Sequence, residues 1–87
     1  MWVNSSKYKA VGRVLAEVRK RQTLDQTELA RRIGQSQSFV SKLEQGRRRI
    51  NILEVQIIAA GLGVTAEKLF AEVTEKVPVK VRKKRRK

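Results

Sequence analysis

The 87-residue sequence contains no cysteine and no histidine, and aromatic residues make up only 5% of it. The missing cysteines exclude disulfides and thiolate-bound metals, and without histidine a zinc site is not expected either. Histidine is also the most common general base in enzymes, so its absence argues against catalysis. A hydrophobic content of 40% still allows a core of mainly aliphatic side chains. We therefore expect a small binding domain without cofactor or metal, and not an enzyme.

Long apolar runs are missing as well. No stretch of the sequence approaches the roughly 18 consecutive apolar residues of a membrane-spanning helix. The first six residues lack the apolar run of a secretory signal. Peripheral membrane binding would require an amphipathic helix or a lipidation site beside the charges, and neither is evident. The sequence thus predicts a cytoplasmic protein with no membrane role.

Basic residues are abundant and unevenly placed. Lysine and arginine total 21 against eight acidic residues, and residues 76–87 contribute +8 of the net charge of +13. Such an excess favours a polyanionic partner, above all nucleic acid. We expect residues 74–87 to be a disordered basic tail that binds phosphates without sequence preference. A nuclear-localisation role for this tail is a weaker interpretation.

Apolar residues recur at helical spacing, and a capping residue precedes most of the predicted helices. The stripe from Tyr8 to Val18 predicts a first helix over about residues 7–21. Four further helices are predicted from their N-cap residues, which are Asp25, Ser36, Asn51 and Thr65. Two of these caps have a glutamate three residues later, the spacing of a capping box. The fold class is therefore all-α, with five helices, short connections and no convincing sheet.

This pattern divides the chain into three parts. Residues 1–7 form an N-terminal arm, residues 8–73 form the folded domain, and the tail begins at residue 74. Leu69 and Phe70 are expected to close the core. Within the domain, two short helices joined by a tight glycine-containing turn over about residues 25–45 are typical of a helix-turn-helix.

The third predicted helix has one polar and one apolar face. At 100° per residue, the polar face carries Gln37, Ser38, Ser41, Lys42 and Gln45, and no acidic residue. Amide, hydroxyl and ammonium groups are those that read base edges in the major groove of DNA. A surface helix could carry such a face simply to contact solvent. The neighbouring helix-turn-helix pattern and the Arg47–Arg49 cluster favour DNA binding instead.

Residues from about 10 to 70 resemble the lambda-repressor-like helix-turn-helix domain, also called the Cro/C1 or Xre type. Three blocks carry the resemblance in the family's order: Leu24–Gly34 (LDQTELARRIG), Gln35–Gly46 (QSQSFVSKLEQG) and Ile58–Val64 (IAAGLGV). The resemblance implies a compact five-helix domain that binds duplex DNA sequence-specifically. It further implies a role in transcriptional regulation, most often repression.

The resemblance also assigns roles to individual positions. Residues at the start of the recognition helix and one turn later would contact bases: Gln37, Ser38, Ser41 and Lys42. Residues at the start of the second helix and after the third would contact phosphates: Gln26, Gln45, Arg47, Arg48 and Arg49. In the family, the residue type at Gln26 also braces the first glutamine of the recognition helix. Arg19 and Glu44 occupy positions that often form an ion pair joining the first and third helices.

The resemblance implies a homodimer on a palindromic operator in the nucleoid, and several alternatives remain open. Ile52 and Ile57 are left over from the core pattern and are candidates for the dimer contact, with Phe70 as an additional candidate. A protein-interaction module, such as an antitoxin that neutralises a partner enzyme, is one alternative function. A nonspecific architectural binder that uses the basic tail is another. Within the family, phage repressors, antitoxins and restriction-modification controllers all fit the sequence.

Overall fold

The structure, a computed structural model, describes residues 4–79, which form five α-helices and no strand. The helices are α1 (Ser5–Arg21), α2 (Gln26–Ile33), α3 (Gln37–Glu44), α4 (Ile52–Leu62) and α5 (Ala66–Lys76). This architecture confirms the predicted all-α fold. None of the helices within the described range is long and apolar enough to cross a membrane. The predicted disorder of the basic tail falls largely on residues 80–87, which lie outside that range.

Side-chain caps begin the last four helices where the sequence predicts them. In each of these helices the cap side chain accepts a hydrogen bond from the backbone N–H three residues later; the caps are Asp25, Ser36, Asn51 and Thr65. Only the cap at Asn51 forms a complete capping box, because Glu54 returns a hydrogen bond to the Asn51 N–H at 3.1 Å. The second predicted box, at Asp25, is half formed. Its glutamate, Glu28, instead accepts two hydrogen bonds from Arg31 and one from Arg32, and these bonds lower the pKa of Glu28 to about 2.

The fold is longer at both ends than the predicted domain of residues 8–73. The first helix already begins at Ser5, since the Asn4 side chain accepts the Ser6 N–H at 2.8 Å. The last helix continues to Lys76 and is followed by Val77, which is only 7% exposed. Both ends are joined by Lys7, whose Nζ donates to the carbonyl of Pro78 at 2.8 Å. Parts of the predicted arm and tail therefore belong to the fold.

The core is aliphatic, as expected, and lies between all five helices. α3 packs on α1 and α2, α4 packs on α2 and α5, and α5 returns to α1. The buried apolar residues are Val14, Leu15, Val18, Leu29, Ala30, Val40, Leu43, Ile58, Ala59, Leu62, Leu69 and Val77. The prediction that Phe70 closes the core is wrong, because its side chain is 60% exposed while Leu69 fills the core; this exposure agrees with the alternative that Phe70 is left over from the core pattern. The core therefore fixes α3 through its apolar side.

Candidate nucleic-acid interface

A tight turn joins α2 to α3. Gly34 ends α2 in the left-handed region at φ +71°, and the Gln35 N–H donates to the Ala30 carbonyl at 2.9 Å. Nothing lies within 4 Å of a Cβ built on Gly34, so the glycine is favoured by its backbone angle and not by lack of space. Ser36 then caps α3. The two short helices form the predicted helix-turn-helix.

The exposed face of α3 presents the polar residues that the sequence singles out. Gln37, Ser38, Lys42 and Gln45 are exposed and Ser41 is half-buried. The opposite side is held in the core, where Val40 and Leu43 are at most 2% exposed and Phe39 packs against them. Because α3 is anchored on its apolar side, this face meets solvent as a fixed array of hydrogen-bonding groups.

A nearly buried ion pair fixes the end of α3 to α1. The Arg19 guanidinium donates twice to the Glu44 carboxylate, at 2.6 Å from Nε and 3.1 Å from Nη2. A third bond runs from Arg19 Nη1 to the Leu24 carbonyl at 2.7 Å. The side chains of the pair are 9% and 8% exposed, and the hydrogen bond to Glu44 raises the pKa of Arg19. The structure thus brings together the two charges that the family resemblance pairs.

Two glutamines extend this ion pair to the start of α3. Gln26 Nε2 donates to Glu44 Oε1 at 2.8 Å, and Gln37 Nε2 donates to Gln26 Oε1 at 2.5 Å. A carboxylate only accepts hydrogen bonds, so Gln26 must turn its NH₂ group to Glu44 and its oxygen to Gln37. Gln37 must in turn direct its own NH₂ group at Gln26. The amide orientation of Gln37 is therefore set by a charge two side chains away.

The three arginines after α3 differ in their surroundings. Arg47 and Arg49 are exposed; Arg47 contacts Gln45, and the Arg49 guanidinium lies 5.0 Å from the centre of the Tyr8 ring. Arg48 is turned toward the protein and binds Glu54 with two hydrogen bonds of 2.9 and 2.8 Å. The same guanidinium lowers the pKa of Glu54. The geometry favours the predicted phosphate role for the two outer arginines and not for Arg48.

The outer face of α4 carries three exposed large apolar side chains, of which the sequence predicts two. Ile52 and Ile57 are exposed as expected, but Leu53 is 67% exposed and was missed. The hint in the sequence is that α4 has too many apolar residues for a single core-facing stripe, so some of them must lie outside the core of this fold. In residues 4–79, no group of carboxylates is arranged to hold a metal ion.

Comparisons with known proteins match the region that carries this interface. A helix-turn-helix family model matches residues 15–69. Control protein C.MunI from a Mycoplasma species is 33% identical over 63 residues, which are 71% of this chain and 85% of that protein. An XRE-family like protein from Pseudomonas syringae pv. tomato is 34% identical with a TM-score of 0.71, over 84% of this chain and 89% of that one.

A third comparison concerns a solved DNA complex. The restriction-modification controller protein C.Esp1396I, a tetramer in complex with its natural 35 base-pair operator, has a TM-score of 0.74. It covers 82% of this chain and 93% of its own, at 21% identity. At that identity the likeness shows a shared fold.

Proposed function

This chain belongs to the Cro/C1 or Xre type of the helix-turn-helix family, whose members are DNA-binding transcription regulators and not enzymes, and we propose that it represses transcription as a homodimer on a palindromic operator. The observation that carries the proposal is the solvent-facing polar side of α3, held in place by the Arg19–Glu44 pair and its two glutamines. The bound protein represses transcription because it occupies promoter DNA. Its location in the cell is then the nucleoid. C.Esp1396I, which shares this fold, binds its operator as a tetramer, and this supports DNA binding by a domain of this shape.

The contacts divide into base readers and phosphate binders. Base edges are read by Gln37, Ser38, Ser41 and Lys42, which the turn presents at the start of α3 and one turn later. Phosphates are bound by Gln26, Gln45, Arg47 and Arg49, which give affinity and salt dependence. The basic segment after residue 79 adds further phosphate attraction without sequence choice.

The fixed amide of Gln37 favours adenine over guanine. One of its N–H groups is used by Gln26, which leaves Oε1 as an acceptor and the second N–H as a donor. Adenine offers a matching N6 donor and N7 acceptor in the major groove, whereas guanine offers two acceptors. If Gln37 cannot turn its amide, its Oε1 faces the O6 of guanine. Both atoms are acceptors, so no hydrogen bond forms between them.

Replacing Gln37 with alanine is expected to relax the preference at one base position per half-site, at a cost of roughly 1–3 kcal/mol. The measurement is a binding selection from random duplex DNA near physiological salt, with the wild-type chain and Gln37→Ala. For the wild type we expect an inverted repeat with half-site centres about ten base pairs apart and adenine at one position of each half-site.

Gln22→Ala is the matched control, because the side chain of this glutamine donates to the Leu62 carbonyl at the end of α4 and not to a residue of α3. Its consensus should equal that of the wild type. An unchanged consensus in Gln37→Ala would contradict the role of Gln37. If the wild type enriched no sequence at all, the nonspecific binder or the protein-interaction module would replace the proposed function.

The dimer is proposed to form through the outer face of α4. Ile52, Leu53 and Ile57 are large apolar side chains exposed on a helix whose one charged residue is Glu54. The chain has a net charge of +13, but α4 contains no basic residue. Two copies can therefore meet through this helix without bringing basic groups together. A two-fold contact of this kind would hold the two recognition helices one DNA turn apart.

Replacing Leu53 with lysine is expected to make the protein monomeric at micromolar concentration, because two copies of the new charge would oppose each other across the two-fold axis. Binding to an inverted repeat should fall by about 100-fold or more once the half-sites are bound independently. Sedimentation velocity and a DNA titration measure both effects. Ala71→Lys, which adds the same charge at an exposed position of α5, is the control. Equal dimerisation of both variants would exclude this face as the interface.

A further inference from the structure

Arg48 lies in the loop between the DNA-reading helix α3 and the apolar helix α4. These two helices make little direct backbone contact, since α3 packs on α1 and α2 while α4 packs on α2 and α5. The loop from Gln45 to Asn51 is their covalent connection. A side chain that binds both helices from this loop therefore has a direct effect on the angle between them.

The Arg48 guanidinium contacts both helices at once. Toward α4 it forms the two hydrogen bonds to Glu54, whose carboxylate also accepts the Asn51 N–H as part of the capping box. Toward α3 it lies over the Phe39 ring, 4.6 Å from the ring centre, a distance typical of a cation–π contact. A further bond to the Arg49 carbonyl, 2.6 Å long, holds the loop itself.

The α4 end of this contact adjoins the proposed dimer face. Glu54 follows Ile52 and Leu53 directly, and Ile57 lines a shared groove with Phe39 and Glu54. A shift of Glu54 relative to Phe39 would therefore move the surface through which the second copy docks. It would also change the distance between the two recognition helices of the dimer.

We propose that Arg48 is a positioning residue that fixes the angle between α3 and α4 and thereby sets the half-site spacing that the dimer accepts. The inference rests on the proposed function, in particular on dimerisation through α4. It assigns Arg48 a role different from that of its two neighbours, which are exposed and have no carboxylate partner among the described residues. A planar guanidinium suits this role because it binds a carboxylate with two parallel bonds while its flat face covers an aromatic ring.

The experiment uses duplexes that carry the inverted repeat enriched by the full-length chain, with the spacing between half-sites changed one base pair at a time. Affinity and salt dependence are measured for the wild type, Arg48→Met, Arg47→Met and Glu54→Gln. We expect the wild type to lose about tenfold or more in affinity one base pair from its best spacing, because both half-sites then no longer fit one rigid dimer.

Arg48→Met should lose most of this discrimination, with less than about threefold between neighbouring spacings, while its salt slope stays that of the wild type. Arg47→Met should do the opposite: it should keep the spacing profile and lower the salt slope by about one per subunit. Glu54→Gln, which keeps Arg48 but weakens its partner, should flatten the profile like Arg48→Met. This third variant keeps the test decisive if Arg48→Met folds poorly.

Two results would overturn the inference while leaving the proposed function intact. One is a sharp spacing profile in Arg48→Met together with a reduced salt slope, which would make Arg48 a phosphate contact. The other is tighter binding by Glu54→Gln at every spacing, which would mean that Glu54 withholds Arg48 from DNA. A flat profile in the wild type would instead overturn the dimeric function on which the inference rests.

Discussion

Replacing Gly12 with alanine is expected to destabilise the domain by about 3 kcal/mol or more, although alanine is the better helix former by roughly 1 kcal/mol. A Cβ at this position would lie 2.3 Å from the Glu44 carbonyl oxygen and 2.6 Å from that of Leu43. Both atoms belong to the backbone at the end of α3 and have no rotamer to change. α1 would have to separate from α3, which also strains the Arg19–Glu44 pair. Urea unfolding followed by circular dichroism measures the loss.

Gly61→Ala is the matched control for this prediction. Gly61 is also buried within a helix, but its Cβ would meet the ends of two side chains, Ile33 Cγ2 at 2.5 Å and Leu29 Cδ1 at 3.0 Å. Side chains can turn away, so we expect about half the loss or less at Gly61. If Gly12→Ala were as stable as the wild type, α1 and α3 could not be as close as described.

Gly12 shows why the fold was more predictable than its contacts. The sequence indicates that Gly12 weakens α1 by itself, but the close approach that requires a glycine involves Leu43 and Glu44, about thirty residues away. The helix caps were predictable because a cap and its partner lie within three residues of each other, as Asn51 and Glu54 do. Local chemistry therefore located the helices, and the family resemblance supplied how they pack.

The candidate site divides in the same way. The polar face of α3 follows from helical periodicity, which applies to any amphipathic helix. In the sequence, the Arg47–Arg49 cluster consists of three equivalent cations. Only the folded structure shows that the middle one, Arg48, is turned toward Glu54. The end of α5 was missed because the polar residues after Val73 end the apolar pattern, while Val77 returns to the core beyond them.

Replacing Glu44 with leucine is expected to cost about 3–5 kcal/mol, because it leaves the Arg19 charge nearly buried without a partner. Arg19 would keep only its bond to the Leu24 carbonyl. In the double variant Arg19→Met/Glu44→Leu, apolar side chains replace the whole pair, and such replacements are often neutral or stabilising. We expect the double variant to recover most of the stability lost by the single one in urea unfolding. Equal losses in both would show that the pair itself, and not the unpaired charge, carries the stability.

The double variant also separates stability from base preference. Without the Glu44 carboxylate, Gln26 loses the acceptor that orients its amide, and Gln37 can then turn either its oxygen or its NH₂ group to the groove. We expect discrimination between adenine and guanine at the Gln37 position to fall by about 1 kcal/mol or more. A loss of this size lies within the discrimination of roughly 1–3 kcal/mol that one bidentate contact contributes. Competition binding with matched duplexes measures it. A stable double variant that still discriminates fully would show that Gln37 selects its base without the buried charge.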